Sequence, residues 1–583
     1  MMKKEWLLAI GFIILIALIG QGINPITSEK LDLDDLGYST LFGGSAIDIG
    51  TAVTQDSQGN IIIVGLTYST DFPVTPGAFD ETHNGGADVF VSKFSPDGSS
   101  LIFSTYIGGS ADELHYYSID HWDSKIAVAV DSADNIIVHG PTHSTDFPVT
   151  PGAYDETYNG ALVDGENHTG DMFVLKLAKD GSDLLFSTYL GGSDAEGNAH
   201  SLAVDKSDNI YLSGWTRSID FPTTSDALNT THNGKWDAFI SILAANGSLL
   251  LYSTYFGGSN FEVYMNILLD SENNIYICGE TYSLDLPITP NAFDSVGKSV
   301  GDYNCDGFIA KISMDGSELL YSSYISGSDP DTIFDMAVDD SGKMYLAGFT
   351  LSSDLEITSN AYDMTFNSLG ETDDGILMKI APSGDLLYST FLGGSDIDVI
   401  EKILLDNEGN IYLMGVSQST NFPTTSNAYS TTHRGNFDFI ITKMPSDGSC
   451  ILYSTYIGGS GYEPTLWQGR GWRNIPDLLL LSENSVVIVG TTDSTDYPVT
   501  NNALNKTLNG QSDVCISQLE LTDLPIPTST EETSTSTISL PTTTRVEGIS
   551  TSDSKTTNQV NSSFLFPFLL TIGMIIIVQR KRK

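Results

Sequence analysis

Short apolar runs alternate with turns rich in Asp and Gly along most of the chain. In residues 52–65, the apolar runs 52–53 and 61–64 flank the polar turn DSQGN at 56–60. Asp opens such a turn through its side chain, and Gly or Asn supplies the positive φ that a tight hairpin requires. The pattern therefore predicts two antiparallel strands joined by a hairpin.

Two further strands complete the same unit. Residues 88–93 read DVFVSK, and the turn SPDGS at 95–99 leads into FSTYIGGS at 103–110. Apolar residues occupy both faces of the central strands, which is typical of a sheet packed on both sides. Each unit is therefore predicted to be a four-stranded antiparallel sheet.

The FSTYIGGS segment recurs seven times, starting at residues 38, 103, 186, 252, 321, 388 and 453. A near-constant period indicates a repeat architecture. Seven four-stranded units predict an all-β fold, a seven-bladed β-propeller over residues 38–520. A solenoid of stacked β-coils is the alternative, which the hairpins disfavour because solenoid coils are parallel.

The two ends of the repeat region complement each other. The region opens with an outer strand at 38–43 and ends with a third strand at 513–519. The last blade consequently lacks an outer strand, and we expect the first strand to complete it. Such pairing removes two exposed strand edges at once.

Three recurring motifs resemble the SBBP family, which is named for a seven-bladed β-propeller repeat. They are YSTYIGGS, the AVDSxGNIYxxG hairpin and STDFP, and together they cover most of residues 38–520. The resemblance implies a propeller in an exported, archaeal setting and no defined chemistry. Two units depart from the pattern, one with Leu355-Glu356 in place of Phe-Pro and one with SENS at 482–485 in place of the Asp turn.

Composition and the amino-terminal segment narrow the class of protein. The net charge is −48 with 26 Lys and Arg residues, which excludes nucleic acid as a partner because phosphate binding needs basic side chains. Residues 1–25 read as a signal peptide, since Lys3 and Lys4 precede an apolar run. An uncleaved signal anchor is the alternative.

The carboxyl-terminal segments predict attachment to a membrane. Residues 521–563 are rich in Thr, Ser and Pro and predict a disordered stalk. Residues 564–578 are apolar and predict a transmembrane helix, and 579–583 form a basic cytoplasmic end. Residues 38–563 are then extracellular at the cell surface. The tail also resembles archaeal sorting tails that are cut and re-anchored.

Long connections between the second and third strands carry the STDFP motif. We expect its Phe to cover a blade edge and its Asp to cap a turn. Unit two contains insertions at 112–125 and 162–170, and unit seven contains one at 461–476. In a propeller all three lie on one face, and insertions on one face commonly mark a binding face.

The insertions hold the predicted ligand-binding residues. Their aromatic faces suit sugar rings, and their arginines suit carboxylate or sulfate groups. The set is Trp467, Arg470, Trp472, Arg473, Tyr116, Tyr117 and Trp122. Inward packing of the same side chains is the alternative.

Two metal hypotheses follow from shorter signals. Asp302, Asn304 and Asp306 match the first half of a calcium loop, although Ser313 replaces the bidentate Glu and Asp306 already belongs to the repeat. Calcium is thus the one cofactor that the sequence suggests, apart from the zinc discussed next for the histidines. Histidines near blade two suggest zinc or acid–base chemistry, with solvated loop histidines as the alternative. They are His115, His121, His139, His143 and His168.

Export also permits covalent modification. Cys278 and Cys305 lie at facing ends of two strands that are predicted to pair, and they form the one plausible disulfide. Five N-x-S/T sequons permit glycosylation. They begin at Asn167, Asn229, Asn246, Asn505 and Asn561.

Two function classes remain open. The first is a non-enzymatic, monomeric surface propeller for ligand binding, adhesion or envelope scaffolding, with an extracellular glycan or protein as partner. The second is a secreted polysaccharide hydrolase or lyase that uses histidines and acids at the top of blade two. The sequence has no H-E-x-x-H, G-x-S-x-G or phosphate-loop motif, which favours the first class.

Overall fold

The computed structural model describes residues 36–113, 125–160, 170–197, 200–298, 304–367, 372–463 and 476–524. The chain divides into two units, residues 1–526 and 527–583, and the second lies outside these ranges. No helix within the described ranges is long and apolar enough to cross a membrane. The predicted segments 1–25 and 564–578 fall outside the described residues.

The described strands form seven antiparallel sheets in chain order. The chain starts with β1 (Leu36–Phe42), and blade 1 is β2 (Asp48–Gln55), β3 (Ile61–Thr67), β4 (Asp88–Phe94) and β5 (Leu101–Ile107). Blade 2 is β6 (Ala127–Val130), β7 (Ile136–Thr142), β8 (Asp171–Leu177) and β9 (Leu184–Leu190). Blade 3 has a split inner strand, β10 (Glu196–Gly197) and β11 (Leu202–Val204), followed by β12 (Ile210–Thr216), β13 (Asp237–Leu243) and β14 (Leu250–Phe256).

The remaining blades repeat the same order. Blade 4 is β15 (Glu262–Leu269), β16 (Ile275–Thr281), β17 (Asp306–Ile312) and β18 (Leu319–Ile325). Blade 5 is β19 (Asp331–Val338), β20 (Met344–Thr350), β21 (Asp374–Ile380) and β22 (Leu386–Leu392). Blade 6 is β23 (Asp398–Leu405), β24 (Ile411–Ser417), β25 (Asp438–Met444) and β26 (Tyr453–Ile457), and blade 7 contains β27 (Asp477–Ser482), β28 (Ser485–Thr492) and β29 (Asp513–Glu520).

The first strand closes the ring. β1 pairs antiparallel with β29, so blade 7 has the order β27, β28, β29, β1. Ser39 faces Ser517 in this register, and their hydroxyl oxygens are 2.8 Å apart. The prediction of seven blades closed by the amino-terminal strand is therefore confirmed.

The apolar cores lie between neighbouring blades. All residues of β3 are buried, because both faces of a central strand meet a neighbouring sheet. Val64 and Val89 of blade 1 belong to one cluster with Val138 and Phe173 of blade 2. Each buried side chain of this size contributes about 1.5–3 kcal/mol, so the repeated apolar runs stabilise the whole ring.

The Asp-rich hairpins have a structural role. Asp56 Oδ1 accepts hydrogen bonds from the backbone N–H groups of Gln58 and Asn60, both at 2.9 Å, and Lys93 Nζ lies 2.6 Å from Asp56 Oδ2. The positive φ falls on Gly59 in blade 1. In blades 2 and 3 it falls on Asp134 and Asp208, so the expectation of Gly or Asn is wrong there. The short Asp side chain also tolerates this conformation.

The predicted disulfide is wrong. All four cysteines are free thiols, and Cys278 and Cys305 are buried. Cys278 faces Ile309 in the β16–β17 register, whereas Cys305 precedes β17. The two residues lie at different heights along the strand pair, which a disulfide cannot span.

Each GGS turn is hydrogen-bonded to the STDFP loop of the following blade. The backbone N–H and the hydroxyl of Ser45 donate to Asp71 Oδ1 at 2.8 and 2.9 Å. The other six pairs are Ser110–Asp146, Ser193–Asp220, Ser259–Asp285, Ser328–Asp354, Ser395–Asn421 and Ser460–Asp496. Phe72 is buried beside this contact, and Leu355 occupies the same position in blade 5. The packing interpretation of STDFP is confirmed.

Two carboxyl groups are buried in every seam, the contact between adjacent blades beneath a GGS turn. At the closing seam, Asp48 Oδ2 accepts the Gly44 N–H at 2.7 Å, and Asp513 Oδ2 accepts the Asn509 N–H at 3.1 Å. A Cβ on Gly43 would lie 2.6 Å from Asp48 Oδ2 and 2.8 Å from Asp513 Oδ1. The first glycine of the motif therefore leaves room for two acids at this seam, whereas in unit five, where the motif reads SGS, Ser326 occupies the position.

The carboxyl pair recurs at all seven seams, and one member always starts a third strand. The other member starts an inner strand in five blades, whereas Glu113 and Glu463 precede the insertions that lead into β6 and β27. These second members are Asp48, Glu113, Glu196, Glu262, Asp331, Asp398 and Glu463. The third-strand acids are Asp88, Asp171, Asp237, Asp306, Asp374, Asp438 and Asp513. Burial raises the pKa of Asp48 to about 6, that of Glu262 to about 7 and that of Glu196 to about 8.

A designed cross-link tests ring closure. Leu41 faces Cys515 across β1 and β29, so Leu41→Cys should form a disulfide with the native thiol under oxidising conditions. Non-reducing peptide mapping detects the link. Thr40→Cys is the control, because Thr40 faces Ile516 and its side chain points to the opposite side of the sheet. Equal cross-linking of both variants would contradict the register.

Because the seam acids have raised pKa values, we expect the free energy of unfolding to fall as the pH rises. The folded state holds the Glu262 proton up to about pH 7, whereas the ordinary pKa is 4.5. The resulting stabilisation is complete below pH 4.5 and is lost as pH rises to about 7. Glu262→Gln should reduce the loss across this window by up to about 3 kcal/mol, measured by urea unfolding.

Asp315→Asn is the matched control for this titration. Asp315 lies in an exposed turn where hydrogen bonds from Ser313 and Ser317 hold its pKa low, at about 2. Asp315 therefore changes its protonation state at a pH below the range from 4.5 to about 7 in which Glu262 titrates. Identical pH profiles for Glu262→Gln and the unmodified protein would refute the assignment of the pH dependence to the seams.

Candidate functional site

The described residues that flank the three insertions lie in connections at one face of the ring. We call it the loop face, defined by the seven GGS turns and the seven connections between second and third strands. Residues 160 and 170 flank an insertion between the second and third strands of blade 2. Residues 113 and 125, and 463 and 476, flank insertions between a GGS turn and the next inner strand, at the same face. They belong to blades 2 and 7, which are separated by blade 1. The predicted location of the insertions on one face follows from this connectivity.

Most residues of the predicted sites lie outside the described ranges. The ligand-binding candidates Trp467, Arg470, Trp472, Arg473, Tyr116, Tyr117 and Trp122 belong to this group. So do His115, His121, His168, Asp302 and the sequon residues Asn167 and Asn561. They stay predictions.

The described histidines of blade two contact backbone carbonyls. His139 is fully buried in β7, where its Nδ1 lies 2.9 Å from the Phe173 carbonyl oxygen, and burial lowers its pKa to about 4. His143 Nδ1 lies 3.3 Å from the Asp112 carbonyl oxygen. Across the part of the chain that the structure describes, no three metal-ligating side chains of His, Cys, Asp or Glu come together.

The described half of the calcium candidate serves the seam. Asp306 Oδ2 accepts the Lys298 N–H at 2.8 Å, as the equivalent aspartates do in other blades. Asn304 precedes it on the loop before β17. The repeat role of Asp306 is thus confirmed, whereas calcium binding stays a prediction.

Three of the sequon asparagines are described. Asn246 is exposed, and its Oδ1 accepts the Ser248 N–H at 3.2 Å. Asn505 is half-buried, and its Oδ1 accepts the Thr507 N–H at 3.1 Å. Asn229 is half-buried and donates its amide to the Thr231 carbonyl oxygen at 3.0 Å. Asn246 is therefore the most accessible of the three.

A belt of polar side chains surrounds the axis of the ring, and the sequence analysis missed it. Ser201 Oγ donates to Asn266 Oδ1 at 2.5 Å, and Asn266 Nδ2 donates to Asp335 Oδ1 at 2.6 Å. Each residue comes from the inner strand, or the start of the inner strand, of a successive blade. The belt therefore links blades 3, 4 and 5 at one level of the axis.

Lys402 continues the belt into blades 6 and 7. Its Nζ lies 3.5 Å from Asp335 Oδ2 and 3.3 Å from Asp477 Oδ1, and Asp477 Oδ2 accepts the Val53 N–H of blade 1 at 2.9 Å. Burial alone lowers the pKa of Lys402, but the two carboxylates outweigh this effect and hold the pKa above its usual range. The ammonium thus bridges two acids from neighbouring blades.

One register position supplies the belt. The second strand of every blade contains a glycine, and the belt residue on the inner strand pairs with the residue just before it. Asn266, Asp335, Lys402 and Asp477 show this pairing in blades 4 to 7. The seven residues are Ala52, Ala127, Ser201, Asn266, Asp335, Lys402 and Asp477. These side chains are small in blades 1 to 3 and polar or charged in blades 4 to 7. An alignment of the seven inner strands in register shows this difference, and that alignment could have revealed the belt from the sequence.

Lys125 and His200 lie just before the belt position, on the loop-face side. Lys125 lies two residues before β6 of blade 2. Burial lowers the pKa of Lys125, and the negative charges of Asp477, Asp335 and Glu401 in other blades oppose this effect. His200 leads into β11; burial and then the charge of Lys125 lower its pKa to about 3.

Aromatic side chains extend from the axis across blades 3 to 5. The His200 ring meets Tyr264 edge-on at 5.4 Å between centroids, and Tyr264 meets Phe334 in the same way at 5.4 Å. On the loop face, Trp215 and Trp236 stack at 4.5 Å. Trp215, Tyr264 and Phe334 belong to one buried apolar cluster, and Trp236 packs against it, so these rings form part of the core.

The fold and seams define a seven-bladed β-propeller, and a family comparison agrees. Two segments, residues 185–222 and 387–423, match the SBBP family model, described as a beta-propeller repeat. The matched segments fall in two of the seven units. The chain is thus a β-propeller that carries SBBP repeats.

Other similarities concern the fold alone. An uncharacterized WD repeat-containing protein of Acanthamoeba polyphaga mimivirus is 26% identical over 189 residues, which amount to 28% of this chain and 13% of the viral protein. An ulvan lyase structure is 8% identical with a TM-score of 0.41, covering 78% of this chain and 92% of the lyase. A Dyadobacter fermentans protein of unknown function is 10% identical with a TM-score of 0.37, covering 83% and 98% of the two chains.

Removing the bridging ammonium tests the belt. Lys402→Met leaves Asp335 and Asp477 buried without their shared cation, and we expect a loss of about 3–5 kcal/mol in the free energy of unfolding. Lys343→Met is the control, since Lys343 forms an exposed pair with Asp339 at 3.5 Å and should cost less than about 1 kcal/mol. If both variants lose the same free energy of unfolding in chemical denaturation, the buried bridge stabilises the protein no more than the exposed ion pair does.

Proposed function

We propose that this protein is a non-enzymatic β-propeller of the cell surface that binds an acidic extracellular glycan at its loop face. The observation that carries the proposal is the position of the insertions. All three extend from connections on that face, and they depart from blades 2 and 7 on either side of blade 1. The seams next to the described flanks keep the ordinary repeat contacts.

The composition of the insertions supports a glycan. They contain aromatic side chains, and the third also contains Arg470 and Arg473 in a chain whose net charge is −48. Flat rings pack on the apolar faces of sugars, and guanidinium groups pair with carboxylate or sulfate in two parallel hydrogen bonds. Local positive charge on an acidic protein selects an acidic ligand.

The described groups favour binding over catalysis. The Nδ1 atoms of His139 and His143 contact the backbone carbonyl oxygens of Phe173 and Asp112. Their geometry supports a structural role in blade 2. Export and anchoring belong to the same proposal and rest on the sequence of residues 1–25 and 521–583.

The experiment is a glycan array probed with the ectodomain, residues 38–520, with and without calcium. The ectodomain should capture uronate-bearing and sulfated polymers and should not capture neutral polymers. Trp472→Ala and Arg473→Ala should each weaken capture at least tenfold while the melting temperature stays nearly unchanged, since these residues lie outside the repeat.

Arg217→Ala provides the matched control. Arg217 lies on the same face, outside the insertions, and its Nε is 3.7 Å from Asp194 Oδ1. This variant should bind as the unmodified protein does. Failure of the unmodified ectodomain to capture any glycan would overturn the proposal, and turnover of a bound polymer would overturn its non-enzymatic part.

A further inference from the structure

We infer that residues 521–524 form a clasp, which takes the place of a turn that blade 7 lacks and holds the ring closed. The clasp follows β29 directly and is the last part of the chain that the structure describes. Its sequence, LTDL, opens the segment rich in Thr, Ser and Pro. The inference concerns the stability of the ring and does not depend on what the loop face binds.

The turn between the third and fourth strands of a blade contacts the preceding blade. Lys93, in the third strand of blade 1, donates from Nζ to the carbonyl oxygen of Lys179, in the turn of blade 2, at 3.1 Å. Lys176, in the third strand of blade 2, donates in the same way to the carbonyl oxygen of Ala245, in the turn of blade 3, at 2.7 Å. These turns therefore help to join neighbouring blades.

Blade 7 has no such turn. Its third strand, β29, ends at Glu520, and its fourth strand is β1, which comes from the other end of the described chain. Lys443, in the third strand of blade 6, occupies the position of Lys93 and Lys176. The repeat thus supplies no turn to contact this lysine where blades 6 and 7 join.

The clasp contacts blade 6 at this place. Asp523 Oδ2 lies 2.8 Å from Lys443 Nζ, and the Lys443 side chain is 2% exposed. The Leu524 N–H donates to the Leu452 carbonyl oxygen at 2.8 Å. Because the lysine is buried, losing this ion pair costs more than losing a fully exposed pair does.

Leu521 connects the clasp to blade 7 and to the closing strand. Its N–H donates to the Asn484 carbonyl oxygen, in the hairpin between β27 and β28, at 2.7 Å. The Leu521 side chain is 2% exposed and belongs to the same apolar cluster as Leu36 of β1 and Tyr453 of blade 6. The clasp therefore shares a core with the strand that closes the ring.

A comparison between blades shows what the clasp covers. The residue just before each FSTYIGGS segment is aliphatic in blades 1 to 6. In blades 1 to 5 this residue is 37% to 49% exposed, and the five residues are Ile102, Leu185, Leu251, Leu320 and Leu387. In blade 6 it is Leu452, which bonds to Leu524 and is 5% exposed. Removing this apolar surface from water stabilises the contact.

The clasp lies at the face of the ring opposite the GGS turns. β25 begins at the seam acid Asp438, beneath a GGS turn, and ends at Met444, next to Lys443. The lysine that binds Asp523 is therefore at the far end of the strand. The clasp consequently leaves the loop face free.

Hydrogen exchange, measured by mass spectrometry on the full chain, tests the inference. The amides of Leu521 and Leu524 should be protected from exchange. Asp523→Lys brings two ammonium groups together and should speed exchange about tenfold at Leu524 and in β1 and β29. Leu521→Ser should have the same effect, because it removes a buried side chain. Exchange in β12 and β16 should stay unchanged, which shows that blades 3 and 4 remain folded.

Asp340→Lys is the matched control for the change of charge. Asp340 is an exposed residue in the hairpin of blade 5, and its replacement should leave exchange in β1 and β29 unchanged. Equal acceleration in Asp340→Lys and Asp523→Lys would mean that net charge causes the effect, and it would overturn the clasp. Unchanged exchange of β1 and β29 in Leu521→Ser would overturn it as well.

A pair of leucine replacements tests what the clasp covers. Leu452→Ser should lower the melting temperature of the full chain, whereas Leu387→Ser, at the same position of blade 5, should change it little. When Asp523→Lys has already released the clasp, Leu452→Ser should add little further loss. Fully additive losses would mean that Leu452 is buried independently of the clasp, and they would overturn the inference. The same reasoning predicts that residues 38–524 melt at a higher temperature than residues 38–520.

Discussion

The ring depends on the two buried carboxyl groups that lie beneath each GGS turn. One begins the third strand of a blade, and the other lies at the entry to the next blade, where it starts the inner strand in all blades but 2 and 7. At the closing seam both accept backbone N–H groups of connecting loops. Such groups are costly to bury as charges, which is why burial raises the pKa of Glu262 to about 7. Seven equivalent seams thus hold loops and strands together through the same hydrogen bonds.

This saturated framework limits where function can reside. The Ser, Asp and Phe residues of the GGS and STDFP motifs bond and pack to one another at every seam, so they are not free to recognise a ligand. Variation is tolerated in the insertions, which lie beyond the seams, and at the axis, where each blade contributes one residue.

The axial belt adds asymmetry to a nearly symmetric ring. Equivalent positions hold Ala52 in blade 1 and Lys402 in blade 6, and the bridge from Lys402 to Asp335 and Asp477 ties blades 5, 6 and 7. A charged residue is stable at the axis because both acids come from adjacent blades. The side that lacks large belt residues is the side from which Lys125 enters.

The sequence by itself determined the number of blades, the strand order, the closing strand and the packing of STDFP, because these follow from local periodicity repeated seven times. Only the tertiary structure decided the rest. The belt joins single residues from separate repeats, and no local pattern marks Asp335 as the partner of Lys402. The disulfide was wrong because register along the strands separates Cys278 from Cys305. Closure of the ring brings residues that are distant in the sequence into contact, and the residue type at each of these positions differs from blade to blade.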